Sequence, residues 1–403
     1  YVYEGSDVQG DVYGGGLTAR VSGKTHVIVS GTVRGDVYGG GWLHEASNQY
    51  GEIELGYVGD TYVELNGNAS AQNVYGGGRI GNVHGNSIVL LKENARVNNV
   101  YGTGSAYTTF YNWGEEYTFG PIDTNTEGDV TIRLQNSAVV DDTIYGYEIV
   151  NIEDTPTKLL TGRADVNFIN SNNSSVFKRV ENADLVRVTD KSNVMIDNDY
   201  KNNEQLVNVS DLVIDGSAAL KLGADAHILG NYQGDAGKSA TLIIPAGKCL
   251  TADGTVTDLT NISIYDLNGI VPEKAQIYVI SGAGSTKENG DFSWIDERNN
   301  VHMEWNKLSA SGKEKEGKKT MWWLVNGPSS QDPDPSPTPS PTPSDTPSGG
   351  GHGGHGGHGG GSSSGSRKSS TTTTSGPAAE PTEPVAPVEP EPQPVVPEEG
   401  LPK

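Results

Sequence analysis

The 403-residue chain carries one cysteine, Cys249, so no intrachain disulfide can staple it and a disulfide-framed secreted module is excluded. No run approaches the ~20 apolar residues that a membrane-spanning helix needs. Cations are scarce: 28 Lys and Arg stand against 51 Asp and Glu, a formal net charge of −23. Phosphate binding requires clustered positive charge, so this balance argues against nucleic acid and against an anionic membrane surface as partners. Proline is nearly missing from residues 1–327, where only Pro121, Pro156, Pro245 and Pro272 occur. The chain opens at Tyr1 with neither an initiator Met nor a targeting segment, and is expected to be a piece of a longer chain whose repeats continue upstream.

Glycine is abundant, at 54 residues, and weakens helices, so a large helical enzyme is disfavoured. The other 17 of the 21 prolines crowd into residues 328–403, beside Gly/His, Ser/Thr and Pro/Glu tracts. Such composition cannot bury enough apolar surface to offset chain entropy, and predicts a disordered tail.

An internal repeat organises the rest. Val-Tyr-Gly-Gly-Gly occurs at 12–16, 37–41 and 74–78, with relaxed copies at Val100-Tyr101-Gly102-Thr103-Gly104 and Ile144-Tyr145-Gly146. The spacings are 25, 37, 26 and 44. Glycine-opened segments at Gly23, Gly59, Gly85 and Gly128 precede the next Val or Ile by 14, 15, 15 and 16 residues, which is nearly constant. All the irregularity lies after the glycine run, where two insertions of about 11 and about 17 residues interrupt an arm of 11.

A repeat near 25 residues, rich in β-branched residues and glycine turns, predicts an all-β fold in which each repeat is one coil of a parallel β-helix (solenoid). Val27 and Val29, Val63 and Leu65, Val89 and Leu91, and Ile132 and Leu134 share an inward face at period 2, while Glu64 and Arg133 face solvent. The tyrosines Tyr13, Tyr38, Tyr75, Tyr101 and Tyr145 should then align, each covering the next. The glycines that follow them suit a tight corner with positive φ and close approach of neighbouring coils. Degraded repeats continue to residue 261, with Asp184–Val188 and Asp211–Ile214 placed 27 apart. Residues 262–327 hold longer alternating strands and four tryptophans, and read as a C-terminal β-hairpin-type cap over the open end. The organisation expected is 1–261 repeat region, 262–327 cap and 328–403 tail.

Several motifs dissolve into the repeat. Arg34-Gly35-Asp36 has the integrin-recognition pattern, but Gly35-Asp36-Val37-Tyr38 duplicates Gly10-Asp11-Val12-Tyr13. Gly234–Ser239 resembles a phosphate loop, yet Tyr232 stands where the first glycine is required. The glycine turns lack the aspartate of calcium-binding nonapeptides, so calcium is not implied. His352, His355 and His358, spaced by Gly-Gly, suit weak, exchangeable Zn²⁺, Ni²⁺ or Cu²⁺ capture or a plain spacer; no other cofactor is indicated. Asp141, Asp142, Asp184, Asp197, Asp199 and Asp211 are the available acids for a polysaccharide lyase or glycoside hydrolase, but nothing in the sequence gathers a specific pair with a base.

The insertions are the sharper signal. Segment 42–58 holds Trp42, His44, Tyr50 and Tyr57, and segment 105–127 holds Tyr107, Phe110, Tyr111, Trp113, Tyr117 and Phe119. Both leave the coil at one corner, and insertions confined to one face often form the binding face. Aromatic rings there suit sugar stacking or anchoring of a protein, or they fold back on the sheet flank.

Together the Val-Tyr-Gly-Gly-Gly repeats of residues 1–150, the Pro/Ser/Thr/Glu tail and the closing Leu401-Pro402-Lys403 resemble adhesin-like repeat surface proteins of Gram-positive bacteria that sortase links to peptidoglycan. Leu-Pro-Lys is similar to the start of a Leu-Pro-x-Thr-Gly sorting signal, without its Thr and Gly. The resemblance implies an extracellular, wall-anchored, non-catalytic protein whose partners are peptidoglycan and a host glycan or surface or matrix protein. The alternatives are a β-helix polysaccharide-cleaving enzyme and a passive stalk for an upstream domain.

Overall fold

A computed structural model describes residues 1–17, 20–42, 57–112, 115–119, 124–196, 204–235, 240–245, 248–257 and 261–265, with short strands at 46–47, 53–54, 276–283, 292–295, 301–302, 312–313 and 320–325. Side chains are described as far as Ser263, those of 43–56, 108–123 and 173 excepted. The chain divides into two units, Tyr1–Asp334 and Pro335–Lys403, and every described residue belongs to the first. The tail expected over 328–403 lies outside the described residues.

The described residues form strands and no helix, and 28 of the strands join one sheet made mostly of parallel pairings. Parallel pairing demands long crossovers between partners, and the repeat supplies them: a strand pairs with its counterpart one repeat later. Thr25–Val29, Thr61–Leu65, Ser87–Leu91, Val130–Leu134 and Ala164–Ile169 stack in that order without slip. Val27, Val63, Val89, Ile132 and Val166 are thereby register partners, and all are buried. A second row aligns Val12, Val37, Val74, Val100, Ile144 and Val180. A third runs through Val8 and Val33, and further along through Val97, Val140, Val176 and Ile196. The inward aliphatics of the rows merge into one continuous core. No single repeat can bury its own inner face, so its stability comes from its neighbours.

The turn after the first row repeats as well. The amides of Ala69, Ala95, Ala138 and Ala218 donate to the carbonyls of Asn66, Lys92, Gln135 and Asp215, and these alanines are 0–1% exposed. Gly67, Glu93 and Asn136 supply the left-handed residue of the turn, with φ of 63°, 61° and 57°.

The Val-Tyr glycines work differently from expectation. None of Gly14, Gly39, Gly76 or Gly102 has φ in the left-handed range; close approach alone demands them. A Cβ on Gly39 would overlap the Gly76 carbonyl oxygen, and one on Gly76 would overlap the Gly102 carbonyl oxygen and Ser87 Oγ. The opening glycines form a second such column, in which Gly59 would meet the Gly23 carbonyl oxygen at 2.6 Å and Gly128 that of Gly85 at 2.5 Å.

Two further expectations are corrected. Leu185 pairs with Asp211 and Val186 with Leu212, one residue away from the spacing of 27 read in the sequence. At period 2 a one-residue slip exchanges faces, and this register puts Val186, Val188, Leu212 and Ile214 together at 0% exposure. Glu64 does lie on the outer face, but it is only 9% exposed. It accepts from Tyr62 Oη at 2.6 Å and Asn66 Nδ2 at 2.7 Å and pairs with Lys92 at 2.8 Å. Burial pushes its carboxyl up, and those three partners together hold it below the ordinary value.

Parallel pairing continues past residue 262. Leu250–Thr257 pairs with Gln276–Ala283, and Asn261–Tyr265 with Phe292–Ile295. The pattern then turns antiparallel, with Thr320–Val325 against Gln276–Ala283 and Val301–His302 against Phe292–Ile295.

Candidate functional site

Strand register brings the repeat tyrosines into a ladder. Ring centroids are 4.9 Å apart for Tyr13–Tyr38, 4.6 Å for Tyr38–Tyr75, 4.5 Å for Tyr75–Tyr101 and 4.7 Å for Tyr101–Tyr145, with interplanar angles of 3–7°. The spacing is that of adjacent strands, which in-register parallel pairing imposes on any side chain repeated at one position. Burial raises all five phenols, Tyr13 to about 12, so the ladder is neutral at ordinary pH.

The residue before each Val-Tyr builds a polar ladder beside the rings. Asp11 Oδ1 accepts the Asp36 amide at 2.9 Å, Asp36 Oδ1 accepts Asn73 Nδ2 at 2.9 Å, and Asn73 Oδ1 accepts Asn99 Nδ2 at 2.9 Å. Asp36 is thus consumed inside the repeat, and Arg34 makes a two-pronged pair with Asp7 at 2.9 and 2.7 Å. Arg34-Gly35-Asp36 is not presented as a free integrin-type loop.

Just beyond the glycine column, antiparallel hairpins leave the parallel sheet. Ala46–Ser47 pairs with Ile53–Glu54 in the first insertion, and Thr108–Asn112 with Glu115–Phe119 in the second. In the second, Phe110 stands opposite Tyr117 and Tyr111 opposite Glu116. A third hairpin, Ile149–Ile152 with Thr155–Lys158, leaves the same corner after Gly146. Its turn residues, Glu153 and Asp154, both have positive φ (49° and 63°), the geometry of a tight two-residue hairpin. Sequence reasoning missed this hairpin because Glu-Asp is a poor signal for such a turn. Its Val150 and Leu159 pack on Ala106 at the root of the second hairpin, tying the two together.

Of the residues singled out in the insertions, Trp42 lies on the ladder: its ring stacks on Tyr13 at 5.8 Å, and the Arg79 guanidinium sits 5.5 Å above it. Arg79 also donates to Asp11 Oδ2 and Tyr13 Oη, both at 3.0 Å. Tyr107 is 38% exposed, on a turn in which its amide donates to Ser105 Oγ at 3.2 Å. For Phe110, Tyr111 and Tyr117 the backbone alone is described. His44, Tyr50 and Trp113 lie outside the described residues, as do His352, His355, His358, Leu401, Pro402 and Lys403.

Glu148, which sequence reasoning also missed, sits at the root of the third hairpin. Burial pushes its carboxyl up to about 7, against one amide hydrogen bond from Ala106. Its Oε2 is buried without a hydrogen-bond partner. The acids considered for sugar cleavage are engaged instead: Asp141 with Arg96 at 2.6 Å, Asp142 with Lys178 at 2.7 Å, Asp184 with the Ala164 amide at 2.8 Å and Asp211 with the Asn231 amide at 2.7 Å. Asp197 and Asp199 lie outside the described residues. Among the described residues no three His, Cys, Asp or Glu gather as a metal site, and no helix is long and apolar enough to cross a membrane. The chain matches no family model, no curated protein and no solved structure.

Proposed function

We propose that residues 1–261 wind as a parallel β-helix, capped by residues 262–327 as a β-hairpin-type end and followed by a disordered wall-spanning tail. In this reading the protein is a non-catalytic, extracellular bacterial adhesin, held to peptidoglycan by sortase once the Leu401-Pro402-Lys403 signal is completed. The hairpins of segments 42–58 and 105–127 carry its contacts with a host or microbial glycan or a surface protein.

The observation that carries the reading is the hairpins' common origin: they leave the parallel sheet just after the glycines that follow the stacked tyrosines, and Trp42, at the start of the first insertion, stacks on Tyr13. Rigid elements that position variable loops are the usual construction of a binding face. The pairing of Asp141, Asp142, Asp184 and Asp211 with fixed partners favours display over hydrolysis, since a general acid needs a proton to give and a free path to the substrate.

The test is binding of the full chain to an immobilised panel of host and microbial glycans and matrix proteins. The variant replaces Thr108–Phe119 by Gly-Ser-Gly. The reading expects at least one ligand that binds above background and loses at least tenfold in the variant; a panel holding no such ligand refutes it.

A further inference from the structure

A second surface lies on the outer face of the strands Thr25–Val29, Thr61–Leu65 and Ser87–Leu91. There a groove of about 220 Å³ is lined by Lys24, His26, Asp60, Tyr62, Asn86 and Ile88, among others. Parallel register builds it: His26, Tyr62 and Ile88 occupy one position in three successive repeats. The His26 and Tyr62 rings lie 5.4 Å apart and tilted by 34°, which makes a broad, faceted floor instead of a flush stack. Tyr62 is fixed from behind, its hydroxyl donating to Glu64 at 2.6 Å while Lys92 holds Glu64 at 2.8 Å.

The rim is polar and preorganised. Lys24 Nζ pairs with Asp60 Oδ2 at 2.9 Å, Asp60 Oδ1 accepts the Asn86 amide at 2.9 Å, and Asn86 Oδ1 accepts the Asp129 amide at 2.8 Å. The acceptor oxygens of Asp60 and Asn86 thus serve the strand ladder. Among the described residues, two of the three Lys24 ammonium hydrogens remain available, as does the Asn86 side-chain amide.

A ring floor with hydrogen-bond donors on its rim matches a ligand that is apolar on one face and rich in hydroxyls at its edge. The volume falls below the ~300 Å³ at which pockets for drug-sized ligands begin, so the groove takes one ring of a longer molecule. A chain of net charge −23 repels anionic sugars. We propose that this groove binds one pyranose ring of a neutral saccharide chain, with Tyr62 and His26 as the stacking floor and Lys24 and Asn86 as hydroxyl partners.

The experiment titrates the full chain by calorimetry with β-1,4-linked N-acetylglucosamine oligomers, as found in microbial walls, and with galactose-terminated oligosaccharides, as found on host glycans. One of the two series should bind. Tyr62→Ala should weaken it at least tenfold, whereas Tyr62→Phe, which keeps the ring, should stay within about threefold. Replacing Thr108–Phe119 by Gly-Ser-Gly should leave this binding unchanged, which separates the groove from the hairpin reading. Failure of both series, indifference to Tyr62→Ala with the unfolding midpoint retained, or loss on hairpin replacement overturns the proposal.

Discussion

Substituting Gly76 by Ala adds a single methyl group at the point where the architecture leaves no room for one. That methyl would overlap the Gly102 carbonyl oxygen and Ser87 Oγ. The carbonyl belongs to the backbone of the next repeat and cannot withdraw without straining the Val74–Val100 and Tyr75–Tyr101 pairing. Ser87 cannot withdraw without giving up its 2.8 Å hydrogen bond to the same carbonyl, in a site where Ser87 is 0% exposed. Overpacking costs about 1–3 kcal/mol, and a lost buried hydrogen bond adds about 1 kcal/mol. The expected loss is therefore about 2–4 kcal/mol. Gly10→Ala is the matched control, since nothing lies within 4 Å of a Cβ there. Urea unfolding followed by circular dichroism should show a lower midpoint for Gly76→Ala at an unchanged slope, with Gly10→Ala close to the parent. Equal midpoints for the two variants would refute the close-approach account of the glycine column.

Glu148→Gln tests the buried carboxyl. Because the folded state raises this group from 4.5 to about 7, the folded protein holds the proton more tightly than the unfolded chain does. The neutral acid's contribution is therefore complete below about pH 4.5 and is lost as pH rises toward 7. The variant should be more stable than the parent by about 3 kcal/mol at pH 8 and nearly equal to it at pH 4 in the same urea assay; a pH-independent difference contradicts the burial reading. Tyr75→Ala removes two ring stacks from the middle of the ladder and should cost about 2–4 kcal/mol. Tyr1→Ala, at a ring that is 76% exposed, should change the midpoint little; equal losses at both positions would show that ladder stacking contributes nothing.

The repeat was legible because its physics is local and periodic. Val12, Val37, Val74 and Val100 announce a shared inner position, and their pairing follows from it. The tyrosine ladder follows from the same register. The reading weakened where the repeat degraded: around Leu185 and Asp211 the apolar residues run together, and a one-residue choice of register rests on which face is covered from outside. Alternation puts Glu64 on the outer face, but it names a face and not what lies over it. Tyr62, Asn66 and Lys92 converge on it from its own strand, the following turn and the next repeat. For the same reason the unpartnered oxygen of Glu148 and the His26–Tyr62 groove left no mark in the sequence.

Pattern by itself determined that the described residues are all-β, that their glycines and aliphatics recur for stacking, and where the two long insertions branch. These are statements about one strand and its period, which composition and spacing encode directly. Tertiary structure alone decided which carboxylates are paired, which glycines are excluded from a side chain by a neighbour's carbonyl, and which outer rings adjoin to floor a groove. Most of those depend on residues 20–45 positions apart brought within a few ångströms, a distance that parallel register sets and linear order does not contain.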